Sequence, residues 1–486
     1  MGRIALFSWL ITLGFCYFLL GGYLGHLLEG YDASRLSLLP LGITGAALLA
    51  SLILTVQWAK STSPSKPTPS TRRSFLFGSL GAAGGILSGV FAALAKNRRW
   101  YSVTGQNIFM VKPPYASNQY DSKWSGARIE NYRRLGRTDC LVSDISLGTG
   151  SSTGGRLTPA VAREAIDRGM NYFDTAPDYA SSGSEQVLGE AIQGVRDQIF
   201  LATKFCTPRG HLGPGTSVDD YMKAVDGSLS RLNTDHVDLV HIHSCDTIDR
   251  LLDENAHEAF DRLKEQGKVR FLGVSTHTPD LETIASAAIE SDRFDVMMLA
   301  YHYGAWPEIG NLIDRASERD IGVVAMKTLR GGLHKGLLDI DQSPDSFTQA
   351  SFKWVLSNPS VSCLVISLWQ QAQIDEFFYA SGSELNRNDY AVLEKYEKLT
   401  RETQCRPHCG SCLSSCPEEL AIDDILRHRS YFENFGAEKE AMNLYANLQK
   451  KADACITCDA PCQTACPSGI DIPKRTRGAH ALLNFG

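Results

Sequence analysis

Residues 237–275 read VDLVHIHSCDTIDRLLDENAHEAFDRLKEQGKVRFLGVS and contain one complete unit of the fold. The stretch starts with a β-rich run, Val237 to His243, and ends with another, Arg270 to Ser275. Between them, apolar residues in HEAFDRLKEQG recur at three- and four-residue steps, which is the period of an amphipathic helix. The stretch therefore predicts a strand, a helix and a second strand. The same order repeats from about residue 132 to about residue 382.

Eight strands are predicted in this region, separated by helical patterns such as AVAREAIDRG and IGNLIDRASERD. They are Ser143–Leu147, Asn171–Thr175, Ile199–Phe205, Val237–His243, Arg270–Ser275, Asp295–Tyr301, Gly322–Lys327 and Cys363–Ser367. Eight strand–helix units in about 250 residues predict a closed (β/α)8 barrel of the α/β class. The alternative, an open doubly wound sheet, would carry a glycine-rich dinucleotide turn after its first strand, and nothing there resembles one.

Polar residues at the predicted C-terminal strand ends form the candidate active site, because catalytic groups of such barrels lie at that end. They are Asp174 with Tyr179 five residues later, Lys204, His243, Ser275 and Lys327. Any one of them alone is more often a hydrogen-bonded rim residue or a surface ion pair. Several polar side chains at the ends of consecutive strands favour one shared active site.

Four of these residues suit proton transfer to a carbonyl group. A tyrosine hydroxyl with a pKa near 10 is a weak acid at neutral pH, and a nearby cation such as Lys204 would lower the pKa of Tyr179. Asp174 would hold Lys204 charged and in place. His243 would donate to, or orient, the carbonyl oxygen, on which negative charge develops as hydride arrives at the carbon.

Six stretches in this region carry a specific resemblance: YRRLGRTDCLVSDISLGTG, NYFDTAPDYASSGSEQVLGEAI, FLATKF, VDLVHIHSCD, GKVRFLGVSTHT and GVVAMKTLRGG. In order and spacing, residues 132–382 resemble the aldo-keto reductase family, which is a nicotinamide-dependent (β/α)8 barrel. The resemblance implies that the family's catalytic Asp, Tyr, Lys and His fall on Asp174, Tyr179, Lys204 and His243. It also implies that Tyr179 is the general acid/base.

The resemblance further implies a nicotinamide cofactor, NAD or NADP. Its expected contacts are Thr149 after strand one, Ser275 and Thr276 after strand five, and Lys327, Leu329 and Gly332 after strand seven. Two departures from the family pattern concern this cofactor. Thr276 stands where the family usually has Asn, and Ser367-Leu368-Trp369-Gln370 replaces a Gly-x-Arg-Ser that secures the adenosine phosphate. The second departure puts a preference for NADPH in doubt.

His241 is a further unusual residue of the fourth strand. Residues two apart on a strand share a face, so His241 is predicted to point the same way as His243, one layer deeper. A metal-binding His-x-His pair, as in barrel hydrolases, is one interpretation, although those enzymes lack a Tyr–Lys partnership. The other interpretation is a hydrogen-bonded core histidine.

Eight of the thirteen cysteines lie in two runs, Cys405-x3-Cys409-x2-Cys412-x3-Cys416-Pro417 and Cys455-x2-Cys458-x3-Cys462-x3-Cys466-Pro467. Such spacing lets three thiolates reach one metal centre, and the Cys-Pro ending is a ferredoxin pattern in which that cysteine often serves the neighbouring cluster. On this crossed scheme one [4Fe–4S] cluster takes Cys405, Cys409, Cys412 and Cys466, and the other takes Cys455, Cys458, Cys462 and Cys416. The spacing leaves an uncrossed scheme open.

Zinc sites and disulfides are the alternatives for these cysteines. Tetrahedral zinc usually shows two well-separated Cys-x-x-Cys halves, and disulfides would leave the Cys-Pro endings without a role. The 38 residues between the runs, Pro417–Ala454, show helical spacing, which fits an α-helical ferredoxin-like domain over residues 383–486. Residues 405–483 resemble the iron–sulfur tail of one branch of aldo-keto reductases. The scattered cysteines are interpreted as buried apolar residues: Cys16, Cys140, Cys206, Cys245 and Cys363.

The N-terminal region differs in composition from the rest. Residues 4–28 and 36–58 contain no Asp, Glu, Lys or Arg, and each is long enough to cross a ~30 Å hydrocarbon layer, so two transmembrane helices are expected within residues 1–58. A pair of buried core helices is the alternative. Within residues 59–95, a Ser/Thr/Pro-rich linker precedes a segment from Thr71 to Ala95 that resembles a twin-arginine export signal, with a third anchor helix as the other interpretation. Residues 96–131 are interpreted as a linker.

Together these patterns predict a membrane-anchored oxidoreductase that interconverts a small carbonyl and its alcohol, coupled to two [4Fe–4S] clusters. Because the twin-arginine route carries folded, cofactor-loaded proteins, the catalytic domain is expected outside the cytoplasm, with the cytoplasmic face as the alternative. A redox partner or quinone would then exchange electrons with the clusters. The rival hypothesis is an electron-transfer or scaffold subunit whose barrel no longer binds nicotinamide.

Whole-chain composition sets outer limits on function. With 43% hydrophobic and 21% charged residues, the 486-residue chain is neither wholly disordered nor fibrous. Its formal net charge of -6 gives the chain no overall basic field that would attract phosphates, so no nucleic-acid partner is expected.

Overall fold

The chain divides into two compact units, residues 1–115 and 116–486. The computed structural model describes residues 2–21, 23–24, 38–61, 86–91, 121–150, 157–305, 307–330, 346–433 and 438–484.

The described strands of the second unit form a closed barrel preceded by a hairpin. They are β1 (Tyr132–Arg134), β2 (Leu141–Ser143), β3 (Ile145–Gly148), β4 (Tyr172–Asp174), β5 (Phe200–Thr207), β6 (Gly210–His211), β7 (Val237–Ile242), β8 (Val269–Thr276), β9 (Val296–Ala300), β10 (Gly322–Met326) and β11 (Cys363–Ile366). Eight of them pair in parallel in the order β3, β4, β5, β7, β8, β9, β10, β11, and β11 pairs again with β3. This ring confirms the predicted (β/α)8 barrel.

Helices alternate with the barrel strands and continue beyond them. The described α-helices are α1 (Gly2–Phe15), α2 (Leu39–Ser61), α3 (Pro159–Asp167), α4 (Gly183–Ala191), α5 (Val218–Leu232), α6 (Ile248–Leu251), α7 (Glu254–Glu265), α8 (Leu281–Ser291), α9 (Pro307–Glu318), α10 (Phe347–Leu356), α11 (Gln371–Phe378), α12 (Arg387–Thr400), α13 (Ile422–Glu433), α14 (Glu438–Ala446) and α15 (Ile472–Leu483). Several begin at residues whose hydroxyl accepts a free backbone N–H, as Thr158 does for α3 and Ser217 for α5.

The hairpin β1–β2 lies at the N-terminal end of the barrel and was not predicted. Its Leu135 and Val142 are fully buried in one apolar cluster with the barrel-interior residues Tyr172, Phe200 and Met298. Gly322 leaves room for this contact, because a Cβ there would lie 2.7 Å from a methyl group of Leu135. The hairpin thus closes the end of the barrel opposite to the predicted active site.

The C-terminal segment has its own apolar core. Side chains of α13, α14 and α15, including Ile425, Tyr445 and Ile472, pack together with the buried cysteines Cys412 and Cys462. The stretches between and around the two cysteine runs are helical, and the cysteines lie in the loops and short turns between the helices. Both cysteine runs therefore belong to one packed helical region.

The N-terminal unit requires a correction. No helix among the described residues combines the length and apolar character that crossing a bilayer requires. Helix α2 carries buried polar side chains that bond to α1, as in the 2.8 Å contact between the Ser51 and Thr12 hydroxyls and the 2.9 Å bond from Trp9 Nε1 to Thr55.

The predicted transmembrane helices at residues 4–28 and 36–58 are therefore wrong. The membrane location, and the extracytoplasmic placement of the catalytic domain that was tied to it, are corrected with them. The segment resembling a twin-arginine signal, residues 71–95, lies outside the described residues apart from 86–91.

Candidate active site

Four side chains predicted for catalysis converge at the C-terminal end of the barrel. Asp174 ends β4, Lys204 lies within β5, His243 directly follows β7, and Tyr179 begins a short 3-10 turn after β4. Asp174, Lys204 and His243 are buried, with 3%, 1% and 6% of their surface exposed. Because β4 pairs with β5 and β5 with β7, these residues come from consecutive strands of the ring.

Direct contacts connect the four residues. Lys204 Nζ donates to Asp174 Oδ1 at 2.5 Å and to the Thr175 carbonyl at 2.8 Å. The same ammonium group lies 5.1 Å from the centre of the Tyr179 ring. Tyr179 Oη lies 3.3 Å from His243 Nε2, and the two rings meet edge to face. The hydroxyl of Tyr179 therefore has a histidine beside it and a buried ion pair behind it.

The environment of Tyr179 differs from the expectation. Desolvation raises the pKa of the phenol well above its usual value, and the negative charges of Asp174 and Asp178 raise it further. The charge of Lys204 was expected to lower this pKa, but Lys204 is bonded to the Asp174 carboxylate, which offsets its effect. Tyr179 is therefore protonated at neutral pH and suited to act as an acid.

His243 is a neutral imidazole in this arrangement. Burial lowers its pKa well below the usual value, and the nearby His211 and Lys204 add to the effect. Its Nδ1 faces Asp178, with 3.6 Å between Nδ1 and Oδ1. Neither of these two buried atoms has a hydrogen-bond partner among the described residues. Nε2 of His243 therefore contacts the Tyr179 hydroxyl, and Nδ1 faces a separate group of polar side chains.

That polar group was not anticipated from the sequence. Donor atoms of Asp178, Cys206, His211 and His243 all lie within 4.8 Å of one another, whereas His241 is not part of this group. Cys206 had been interpreted as an ordinary buried cysteine. One signal was available: Cys206 follows Lys204 by two residues on β5, so both side chains share a face of the strand.

The residues expected to contact a nicotinamide cofactor lie at the same end of the barrel. Thr149 is fully buried, and its hydroxyl donates to that of Thr175 at 2.9 Å. The Ser275 hydroxyl accepts the backbone N–H of Ser244 at 3.0 Å, and Thr276 is fully buried. The predicted contact Gly332 lies outside the described residues.

A cavity separates the ends of β10 and β11 from the C-terminal helical region. Lys327, Leu329 and Arg330 line it from the barrel, together with Ser367 and Trp369 of the altered strand-eight segment. The C-terminal region contributes Cys405, Arg406, Arg427, Tyr431 and Arg475. Lys327 Nζ donates to Tyr431 Oη at 3.0 Å across this cavity. Nothing in the sequence pattern indicated that C-terminal arginines would face the barrel.

Arg330 is the most buried cation of this cavity wall, with 6% of its surface exposed. It forms an ion pair with Glu397 through Nη1. Its Nε and Nη2 have no hydrogen-bond partner among the described residues. Two buried donors on a guanidinium group that faces a cavity are suited to an anionic ligand.

The eight clustered cysteines are all free thiols. Burial raises the pKa of Cys405, and nearby acidic groups that include Cys409, Cys412 and Cys466 raise it further. Burial likewise raises the pKa of Cys462, with added effects from Cys416, Cys455 and Cys458. The thiols that affect the pKa of Cys405, and those that affect the pKa of Cys462, thus include two further cysteines of the same run and the last cysteine of the other run.

Backbone N–H groups point at the sulfurs that end the two runs. Leu420 N lies 3.5 Å from Cys416 Sγ, and Ile470 N lies 3.4 Å from Cys466 Sγ. In both cases the donor follows the cysteine by four residues, so the two runs share the same local geometry. Such donors to sulfur are among the factors that tune iron–sulfur clusters.

Comparison with known proteins agrees with the barrel. Residues 144–351 match the model of the "Aldo/keto reductase family". The uncharacterized oxidoreductase YqkF of Bacillus subtilis is 35% identical over 45% of this chain and 71% of its own length. The 6-dehydroglucose reductase of Novosphingobium aromaticivorans is 30% identical over 54% of this chain and 94% of its own length. A solved aldo-keto reductase from Klebsiella pneumoniae in complex with NADPH is 24% identical with a TM-score of 0.46, covering 56% of this chain and 95% of its own.

Proposed function

Because the chain belongs to the aldo/keto reductase family, we propose that it interconverts a small carbonyl compound and its alcohol with a nicotinamide cofactor and two [4Fe–4S] clusters. The observation that carries the catalytic part is the 3.3 Å contact between Tyr179 Oη and His243 Nε2, next to the buried Lys204–Asp174 pair. This arrangement places a proton donor and a second hydrogen-bonding group where one carbonyl oxygen can reach both.

The protein side chains have separable roles in carbonyl reduction. Tyr179 donates its proton to the carbonyl oxygen as hydride adds to the carbonyl carbon, and the product is the alcohol. His243, neutral and with its proton on Nε2, donates a hydrogen bond to the same oxygen and stabilises its developing negative charge. Lys204, bonded to Asp174, lies beside the ring of Tyr179 and positions the phenol, and the phenolate that remains is reprotonated from solvent before the next turnover.

Buried donors in the cavity beside β10 fit a dinucleotide. Two nitrogens of Arg330, Nε and Nη2, have no hydrogen-bond partner in the described part of the chain, and Arg427 and Arg475 face the same space from the C-terminal region. These arginines would hold the cofactor phosphates and would replace the basic residue that Ser367–Gln370 lacks. When bound, the nicotinamide supplies the hydride.

The cysteine geometry supports the proposed clusters. Thiols from both runs contribute to each group of four, as the crossed ligand scheme requires. Cys405 also lines the cavity that contains Arg330 and Lys327, so one cluster would lie in the wall of the nucleotide site. When bound, two one-electron clusters would together supply the two electrons that, with one proton, reduce the oxidised nicotinamide again after each hydride transfer, and a redox partner would donate those electrons to the clusters.

Turnover as a function of pH tests the catalytic proposal. The full chain, with its iron, sulfide and bound nucleotide quantified, is assayed with NADPH or NADH and small aldehydes between pH 6 and pH 9. Since the pKa of Tyr179 is raised, the phenol stays protonated below that pKa. We expect the rate of reduction to change little over this range, and the reverse oxidation, which needs the phenolate, to increase with pH.

Two outcomes of this assay would contradict the proposal. An absence of turnover with either cofactor, in protein that carries its iron, would favour the electron-transfer or scaffold role. Zinc in place of iron would remove the cluster part of the proposal while leaving the carbonyl chemistry open to the same assay.

Paired cysteine replacements test the crossed ligand scheme. In the variant Cys412→Ala/Cys466→Ala, both lost ligands belong to one cluster, so iron should decrease from about eight to about four per chain. In the variant Cys412→Ala/Cys416→Ala, each cluster loses one ligand, and iron should decrease towards zero. Iron analysis of anaerobically purified full chains is the measurement. The reverse pattern would show that each run binds its own cluster.

A further inference from the structure

We infer that Asp178, Cys206, His211 and His243 form a site for a single divalent cation of the zinc class, behind the catalytic histidine. The proposal does not depend on which carbonyl compound the enzyme uses. It rests on the types of the four donor groups, on their spacing, and on two atoms, His243 Nδ1 and Asp178 Oδ1, that have no hydrogen-bond partner among the residues the structure describes.

The donor set suits zinc chemically. One thiol, two imidazoles and one carboxylate are the ligand types that Zn²⁺ takes in proteins, usually four at a time in a tetrahedron. The four donor atoms lie within 4.8 Å of one another. The cation would replace the thiol proton of Cys206, which is released to solvent, and would bind both histidines in their neutral form.

Two spacings in the group, both to the carboxylate of Asp178, are close to those of a tetrahedral site. Bonds of about 2.0–2.3 Å place neighbouring ligand atoms about 3.3–3.8 Å apart. Asp178 Oδ1 lies 3.6 Å from His243 Nδ1, and Asp178 Oδ2 lies 3.5 Å from His211 Nε2. These distances are too long for good hydrogen bonds and suit two ligands of one cation.

The backbone holds the donors in place. Cys206 and His211 are direct partners in the antiparallel pairing of β5 with β6, so their side chains are neighbours across the hairpin. Asp178 directly precedes Tyr179, and His243 directly follows β7. Three separate loops at the mouth of the barrel therefore contribute to the site.

Unpartnered atoms provide the second line of evidence. His243 has 6% of its surface exposed, and its buried Nδ1 has no hydrogen-bond partner among the described residues. The same is true of Asp178 Oδ1. A cation between them would satisfy both atoms.

Such a cation would have a consequence for the catalytic histidine. Coordination through Nδ1 leaves the ring proton on Nε2, which is the nitrogen that faces Tyr179. The metal would thus keep His243 in the Nε2-protonated tautomer, which donates to a substrate oxygen. In many other sites a backbone carbonyl or a carboxylate fixes the tautomer of a histidine.

Metal binding by the full chain with its clusters intact tests the inference. We expect the wild type to bind one more equivalent of Zn²⁺ or Co²⁺ per chain than the variant His211→Ala binds. When Co²⁺ occupies the site, the wild type should show a thiolate-to-metal charge-transfer absorption, and the variant Cys206→Ala should lack it. His211 lies on the exposed side of the site, with 37% of its side chain exposed, so its replacement should preserve the fold. We expect its loss to weaken Zn²⁺ binding by about 100-fold or more.

Cys245→Ala is the matched control, because Cys245 is a buried free cysteine whose thiol donates to the Thr247 carbonyl and which is not part of the four-residue group. It should bind the extra equivalent with wild-type affinity. Two results would overturn the inference: the wild type and His211→Ala bind the metal with equal stoichiometry and affinity, or Cys206→Ala keeps the Co²⁺ spectrum of the wild type. The four residues would then be polar residues that line the pocket without binding a metal.

Discussion

Replacing Tyr179 with phenylalanine is expected to decrease kcat for carbonyl reduction by about 10²- to 10⁴-fold, the usual contribution of a positioned general acid. The change removes one oxygen atom, the one that lies 3.3 Å from His243 Nε2. The ring remains and keeps its position over the Lys204 ammonium group. Binding of the cofactor should be unchanged, because the cavity that contains Arg330 does not include Tyr179.

Tyr172→Phe is the matched control for this change. Tyr172 lies on the strand that ends at Asp174, but its ring is buried at the opposite end of the barrel, stacked on Phe200. Its hydroxyl has no hydrogen-bond partner among the described residues. The control should therefore retain wild-type turnover and stability. If Tyr179→Phe also retained wild-type turnover, Tyr179 would not be the proton donor.

Replacing Lys204 with methionine should destabilise the fold by about 3–5 kcal/mol, because it leaves the Asp174 carboxylate buried without its cation. Both side chains are at most 4% exposed, so water cannot replace the lost partner. The measurement is the free energy of unfolding by denaturant. The large cost arises from an unpaired buried charge and not from the strength of the ion pair itself.

A double-mutant cycle separates these two contributions. In Asp174→Asn/Lys204→Met both charges are removed, so the double variant should be considerably more stable than the sum of the single changes predicts. The pair Lys223–Asp220 on α5 is the control, since its side chains are 74% and 59% exposed and its removal should have little effect. Additive effects at Asp174 and Lys204 would show that the two charges do not depend on each other in the folded protein.

Much of the barrel could be predicted because strand and helix periods are local properties of the sequence. The predicted strand Gly322–Lys327 differs from β10 by one residue, and Val237–His243 differs from β7 by one. The hairpin β1–β2 was missed because its strands have three residues each and show no clear alternation. Its stability comes from burying Leu135 and Val142 in the barrel, which is a long-range contact.

The error at the N-terminus has a related cause. An uncharged run such as residues 36–58 has the composition of a membrane helix, but composition does not indicate how many residues join one helix or which polar atoms it buries. In the structure, Ser51 and Thr55 of α2 bond to side chains of α1. The assignment therefore depended on how the helices pair and on which polar side chains they bury, and both are properties of the folded unit.

The sequence by itself determined the barrel, the strands on or next to which Asp174, Lys204 and His243 lie, and the two cysteine runs, because each depends on periodicity or spacing along the chain. Only the tertiary structure decided what surrounds these groups. It placed Asp178, Cys206 and His211 around His243, turned C-terminal arginines towards β10, and raised the pKa of Tyr179. The physical reason is that burial and charge act through space, so they depend on which strands and loops become neighbours and not on the residues next in sequence.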